Sequence, residues 1–156
     1  MKNTVIFLDF DGVMDNAYYD SVRMSKGLSG YDRFGAIFDP RCVHNLKYII
    51  DKTGADIVVS SSWKEDMSLS EILEMWTVRN LPGRVIDTTP IISCYHRGDE
   101  IDVWLEKNWV CRDYVIIDDL DAQNFNEHHI SHLFLVNPYI GLDEGTTRRI
   151  VEYLMR

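Results

Sequence analysis

The sequence predicts an α/β domain in three layers, with a mainly parallel sheet between helices. Two observations carry this. Short continuous apolar runs recur along the chain, and segments with helical apolar spacing separate them. The runs are continuous rather than alternating, which marks strands buried on both faces beneath crossover helices.

Val5–Leu8 is the first predicted strand. Asp39 is placed to cap a helix that opens on Pro40 and ends before Gly54, with Val43, Leu46, Ile49 and Ile50 on one stripe. Ile57–Val59 is the second strand. Ser68 and Glu71 form a capping box for a second helix carrying Leu69, Ile72, Leu73 and Trp76. Arg84–Ile86 is a weaker strand. A third helix carries Ile101, Trp104 and Leu105. Val115–Ile117 and Leu133–Val136 are strands, and a last helix near Gly145–Met155 carries Ile150, Val151 and Leu154. Asn16–Phe38 shows the least pattern. With Tyr18, Tyr19, Tyr31, Phe34 and Phe38, it reads as a flap or a partly mobile loop.

The 156 residues are read as a single domain, 1–156, with the flap over about 16–38. Hydrophobic residues make up 46%, which excludes wholesale disorder, and no apolar run approaches a membrane span. Cys42, Cys94 and Cys111 form no C-x-x-C pair and read as reduced thiols of a cytoplasmic protein. The net charge of −9 argues against extended nucleic-acid binding and against an anionic membrane.

The chemistry gathers at strand ends. Asp9 and Asp11 follow the first strand, and Gly12 lets the chain turn. Ser60 ends the second core strand, and Asp118 and Asp119 end the fourth. In open α/β sheets ligands bind beyond the carboxyl ends of the strands. Asp9, Asp11, Asp118 and Asp119 would repel one another in one pocket. A hard divalent cation with oxygen ligands, Mg²⁺, resolves that conflict. Asp15 reads as a turn-ending acid. His128, His129 and His132 read as a solvated loop or helix end, and Trp76 and Trp104 as core.

The run Asp9-Phe10-Asp11-Gly12-Val13 resembles the first motif of the haloacid dehalogenase (HAD) superfamily. Ser60 resembles its second motif, Arg97 its third basic position, and Asp118-Asp119 its double-acid fourth, in the family's order. Ser60-Ser61-Ser62-Trp63, Arg97-Gly98-Asp99-Glu100-Ile101 and Gly141-Leu142 resemble the small HAD domains of "Swiss Army knife" RNA-repair proteins. The resemblance implies a Rossmann-like HAD fold without a large cap domain, and the intervals between motifs leave no room for one. It implies a phosphatase with Asp9 as nucleophile and Asp11 as general acid and base. Ser60, Ser61 and Arg97 would bind phosphate, and Trp63 and Lys64 would line the substrate. Lys64 competes with Arg97 for the basic role. Asp118 is the favoured direct metal ligand, with Asp119 acting through water or the basic residue.

The implied activity is Mg²⁺-dependent hydrolysis of a phosphate monoester. The substrate is a phosphorylated small molecule, a nucleotide or a nucleic-acid end. A receiver-type signalling domain would carry its acceptor Asp on a middle strand, after the acid pair. A metal-dependent glycosyltransferase needs a nucleotide-binding region ahead of its D-x-D, and only eight residues precede Asp9. A catalytically inactive HAD-like scaffold is the remaining alternative.

Overall fold

The computed structural model describes residues 3–92, 96–110 and 113–156. Its centre is a five-stranded parallel sheet in the order β5–β4–β1–β6–β7. The strands are β1 (Thr4–Leu8), β4 (Asp56–Val59), β5 (Val85–Thr88), β6 (Asp113–Asp118) and β7 (Leu133–Leu135). All five lie where apolar runs predict them. β1 is buried along its whole length, as a central strand covered on both faces must be.

Helices cover both faces. On one face α2 (Pro40–Thr53), α3 (Leu69–Val78) and α5 (Glu144–Met155) pack Leu46, Ile49, Ile72, Met75, Ile150 and Leu154 against Ile6, Leu8, Ile57, Val59, Val115 and Ile117. On the other, α4 (Arg97–Lys107) packs Ile101 and Trp104 against Val5, Phe7, Val58 and Ile116. The caps follow the sequence. Asp39 accepts from the Arg41 amide, Gly54 takes a left-handed φ of 68°, and Ser68 and Glu71 close the capping box. One stripe residue differs. Leu73 is exposed, and Met75 takes its place in the core.

The segment 16–38 departs most from expectation. It holds a helix, α1 (Ala17–Ser25), and a two-stranded hairpin, β2 (Tyr31–Asp32) with β3 (Gly35–Ala36). α1 is a nine-residue helix that buries none of its residues. Its one sequence signal is the Asn16 cap, which accepts from the Tyr19 amide. Phe38 belongs to the core rather than to a lid. Between β1 and α4 the described residues hold only these elements, α2, β4, α3, β5 and a 3₁₀ turn (Ser62–Glu65), so no cap domain is inserted. Cys42 is a free buried thiol, while Cys94 and Cys111 lie outside the described residues. Among the described residues no helix is long and apolar enough to cross a membrane.

The loop after β7 is docked onto the turn that follows β1. The Leu142 amide donates to the Val13 carbonyl at 2.8 Å. At Gly141, φ is 68° and an added Cβ would lie 2.5 Å from that carbonyl oxygen. Gly141→Ala is therefore expected to destabilise the fold by at least ~1–2 kcal/mol, the cost of a left-handed residue alone. Denaturant unfolding measures it, and an unchanged midpoint would contradict this docking.

Candidate active site

Strand register builds the site. Leu8 pairs with Val59 on one side and with Ile117 on the other. The next residue on each strand is Asp9, Ser60 or Asp118, so three polar groups emerge on one rung at the carboxyl edge. The ladder continues there: the Asp9 amide donates to the Ile117 carbonyl and the Ser60 amide to the Leu8 carbonyl. All three side chains are buried, at 4%, 0% and 0% exposure. That burial makes their charge costly and their partners decisive.

Arg97, the first residue of α4, supplies the partner. Its Nη1 donates to Asp118 Oδ2 at 2.7 Å and to the Ser60 carbonyl at 2.6 Å, and lies 3.5 Å from Asp9 Oδ1. The Leu120 amide donates to Asp118 Oδ1. The guanidinium therefore pairs with Asp118 and Asp9, which leaves water as the other expected route for Asp119. Asp119 approaches over Gly12, where an added Cβ would sit 2.2 Å from Asp119 Oδ2. With φ at 79°, Gly12 both makes the turn and leaves room for this carboxylate.

Asp9, Asp118 and Asp119 bring one oxygen each within 4.8 Å of one another. Burial, and then the Asp118 charge, hold the Asp9 carboxyl well above the usual carboxylate range. Burial also raises Asp118, against the pull of Arg97. Acids pushed toward protonation by burial and by each other form a donor set that a hard divalent cation relieves, so these three residues fit such an ion. The Asp11 side chain is not in that set. Its Oδ1 accepts from the Trp63 indole at 3.0 Å.

The other expected residues divide. Ser60 Oγ is buried and has no hydrogen-bond partner among the described residues, so it is free to meet a ligand oxygen. Ser61 caps the 3₁₀ turn, accepting from the Trp63 amide at 3.3 Å. Trp63 packs against Phe10 and Phe38 while its indole reaches Asp11, so it both supports and lines the site. Lys64 is paired within the protein: its side chain is 4% exposed and donates to Glu100 Oε1 and Thr89 Oγ1, each at 2.8 Å.

A model of the family described as the HAD domain in Swiss Army Knife RNA repair proteins matches residues 5–146. The chain belongs to that family. No curated protein and no solved structure gives a significant match. The HAD assignment agrees with the parallel sheet, the absence of a cap among the described residues and the acidic edge.

Asp15 ends the turn after β1, as its place in the sequence suggests, and accepts from the Gly12 amide at 3.4 Å. Asp15 reaches Asp11 because the chain turns back after β1, with the Val13, Met14 and Asp15 amides all donating to the Phe10 carbonyl. Burial, and then the bond to Asp11, push the Asp15 carboxyl up to about 8. The only sequence signal for this contact is the spacing of four residues from Asp11 to Asp15. His129 is buried rather than solvated. With Asp102 and His128 it groups three potential ligand atoms, yet its hydrogen bonds argue against a metal there. The Asn126 amide donates to His129 Nδ1, which puts the neutral ring's proton on Nε2, facing Asp102 Oδ1 at 2.7 Å. In that tautomer Nε2 has no lone pair to offer.

The raised carboxyls set the sign of a pH effect. For Asp9 and Asp15 the folded protein holds the proton more tightly than the unfolded chain does. The contribution of these two groups to metal-free stability is then fully present below the ordinary value of 3.8 and is lost as pH rises toward about 9 for Asp9 and about 8 for Asp15. Melting in the presence of a chelator should drop across that window. In Asp9→Asn the drop should be smaller, and a profile identical to wild type would refute Asp9 as a source of the pH dependence.

Proposed function

We propose that the chain is a Mg²⁺-dependent phosphate monoester hydrolase acting through an aspartyl phosphate. The observation that carries this reading is the shared rung. A buried carboxylate, Asp9, stands beside the partnerless hydroxyl of Ser60, under one guanidinium that also holds Asp118. Asp9 attacks phosphorus as the bond to the leaving oxygen breaks. Asp11 gives that oxygen a proton, then takes one from the water that attacks the aspartyl phosphate and releases phosphate. Ser60 Oγ donates to a phosphoryl oxygen, and Arg97 offsets its charge. Asp9, Asp118 and Asp119 would hold the Mg²⁺, which when bound would supply further positive charge at the phosphoryl group. Ser61 acts only through the turn that it caps.

The family description, which concerns RNA repair, supports a phosphate at a nucleotide or nucleic-acid end. Charge narrows this to small substrates. A cleft of about 360 Å³ opens at Asp11 and is lined by Phe34, Ser62, Trp63, Glu65, Asp66 and Met67. Its charged residues are acidic, and Lys64 beside it is already paired. Extended polyanions need several cationic contacts, which this surface does not offer. The protein works as a cytoplasmic enzyme on terminal phosphates of nucleotides or short strand ends.

Asp9→Asn should abolish turnover of a generic phosphomonoester while leaving the circular dichroism spectrum unchanged, and retained turnover would refute the nucleophile. Millimolar Mg²⁺ should raise the melting temperature, and Asp118→Ala should remove most of that rise. Indifference of wild type to Mg²⁺ would count against the metal. Assays across nucleoside monophosphates, end-phosphorylated oligonucleotides and sugar phosphates should favour the nucleotides, with kcat/KM falling as the oligonucleotide lengthens. Exclusive use of sugar phosphates would contradict the substrate class.

A further inference from the structure

Asp11 is exposed, and a short exposed carboxylate has several side-chain orientations open to it. A general acid must instead present its proton along one direction. Trp63 provides a fixed point. Its Nε1 donates to Asp11 Oδ1 at 3.0 Å.

The indole is itself held from several directions. Phe10 meets it edge-on at 5.2 Å, and Phe38 lies 5.9 Å away. The β2–β3 hairpin lies against its six-membered ring, so closely that a Cβ at Gly35 would be 3.0 Å from Cη2. The hairpin is pinned in turn by Arg79, at the end of α3. Arg79 forks onto Asp32 at 2.9 and 2.7 Å and donates to the Gly35 carbonyl at 3.1 Å. A chain of contacts therefore runs from α3 through the hairpin and the indole to Asp11.

We infer that Trp63 is the positioning residue for the general acid, with the hairpin as its clamp, so that this capless fold orients Asp11 from within the core domain rather than through a closing one. The inference rests on the reading of Asp11 as the acid. An indole N–H donates and cannot accept, so it keeps Oδ1 as an acceptor and leaves the proton to Oδ2. Oδ2 is then the atom that carries the proton to the leaving oxygen. Asp15, the other carboxyl in contact with Asp11, does not replace this donor. It belongs to the same turn as Asp11, whereas the indole ties Asp11 to a separate element.

The test uses the full chain with two substrates. One is p-nitrophenyl phosphate, whose leaving group needs little protonation, and the other is an alkyl phosphate, whose leaving group needs much. Trp63→Phe keeps a packed ring and removes the N–H. It should lower kcat/KM for the alkyl ester about 10-fold, the loss of one hydrogen bond to a charged group. For p-nitrophenyl phosphate kcat/KM should fall several-fold less, because this ratio reports phosphoenzyme formation alone, where only the poor leaving group needs the proton. In an Asp11→Asn background Trp63→Phe should cost nothing further, because the two act as one unit. Should the smaller ring disturb packing, benzothienylalanine at position 63 keeps the bicycle, lacks the N–H and must give the same pattern. Equal losses on both substrates, or losses that add to those of Asp11→Asn, would overturn the inference while the hydrolase reading stands. Alkyl ester turnover that is indifferent to Asp11→Asn would instead overturn the reading of Asp11, and the inference with it.

Discussion

One guanidinium facing buried acids is the constraint on which the rest of the structure depends. Arg97 Nη1 touches Asp118 and the Ser60 carbonyl and approaches Asp9, so a single cation ties three parallel strands at their carboxyl ends. Asp118 has no solvent exposure and Asp9 almost none, so neither carboxylate can fall back on water. Removing the guanidinium would leave buried charges uncompensated, which costs far more than an exposed pair is worth. The position of Arg97 at the start of α4 is in turn set by Ile101 and Trp104, which seat that helix on the sheet. Packing on one face thus determines charge at the edge.

The same economy appears around Phe10. Asp9 and Asp11 flank it in sequence, and its ring is fully buried among Phe38, Trp63 and Trp76. An aromatic anchor between two acids lets them leave the strand in separate directions, Asp9 toward Asp118 and Asp11 toward Trp63. The nearby Lys64–Glu100 pair is a second buried charge compensation, made within the protein and not offered to a ligand. It shows why a lysine four residues past Ser60 contributes to the framework, while the more distant Arg97 reaches the site.

The sheet and its covering helices are legible in the sequence because each buries an apolar face with a regular period, and caps such as Asp39 and Ser68 obey local chemistry. The acids at the strand ends are legible because parallel strands deliver their ends to one edge. α1 is not, since its nine residues include none that packs into the core. Nor is the partner of Lys64. Glu100 lies 36 residues further on, and nothing in either neighbourhood announces the pairing. His129 misleads because its burial is set by tertiary packing that its polar neighbours in sequence do not announce.

The central claim is that the phosphoryl group passes through Asp9. The most direct measurement is a rapid acid quench during turnover of a phosphorus-labelled monoester with Mg²⁺ present, followed by peptide mass spectrometry. Label on Asp9, lost on treatment with hydroxylamine as an acyl phosphate should be, is the result predicted. Steady turnover with no label trapped on Asp9, or with label on another residue, would contradict it.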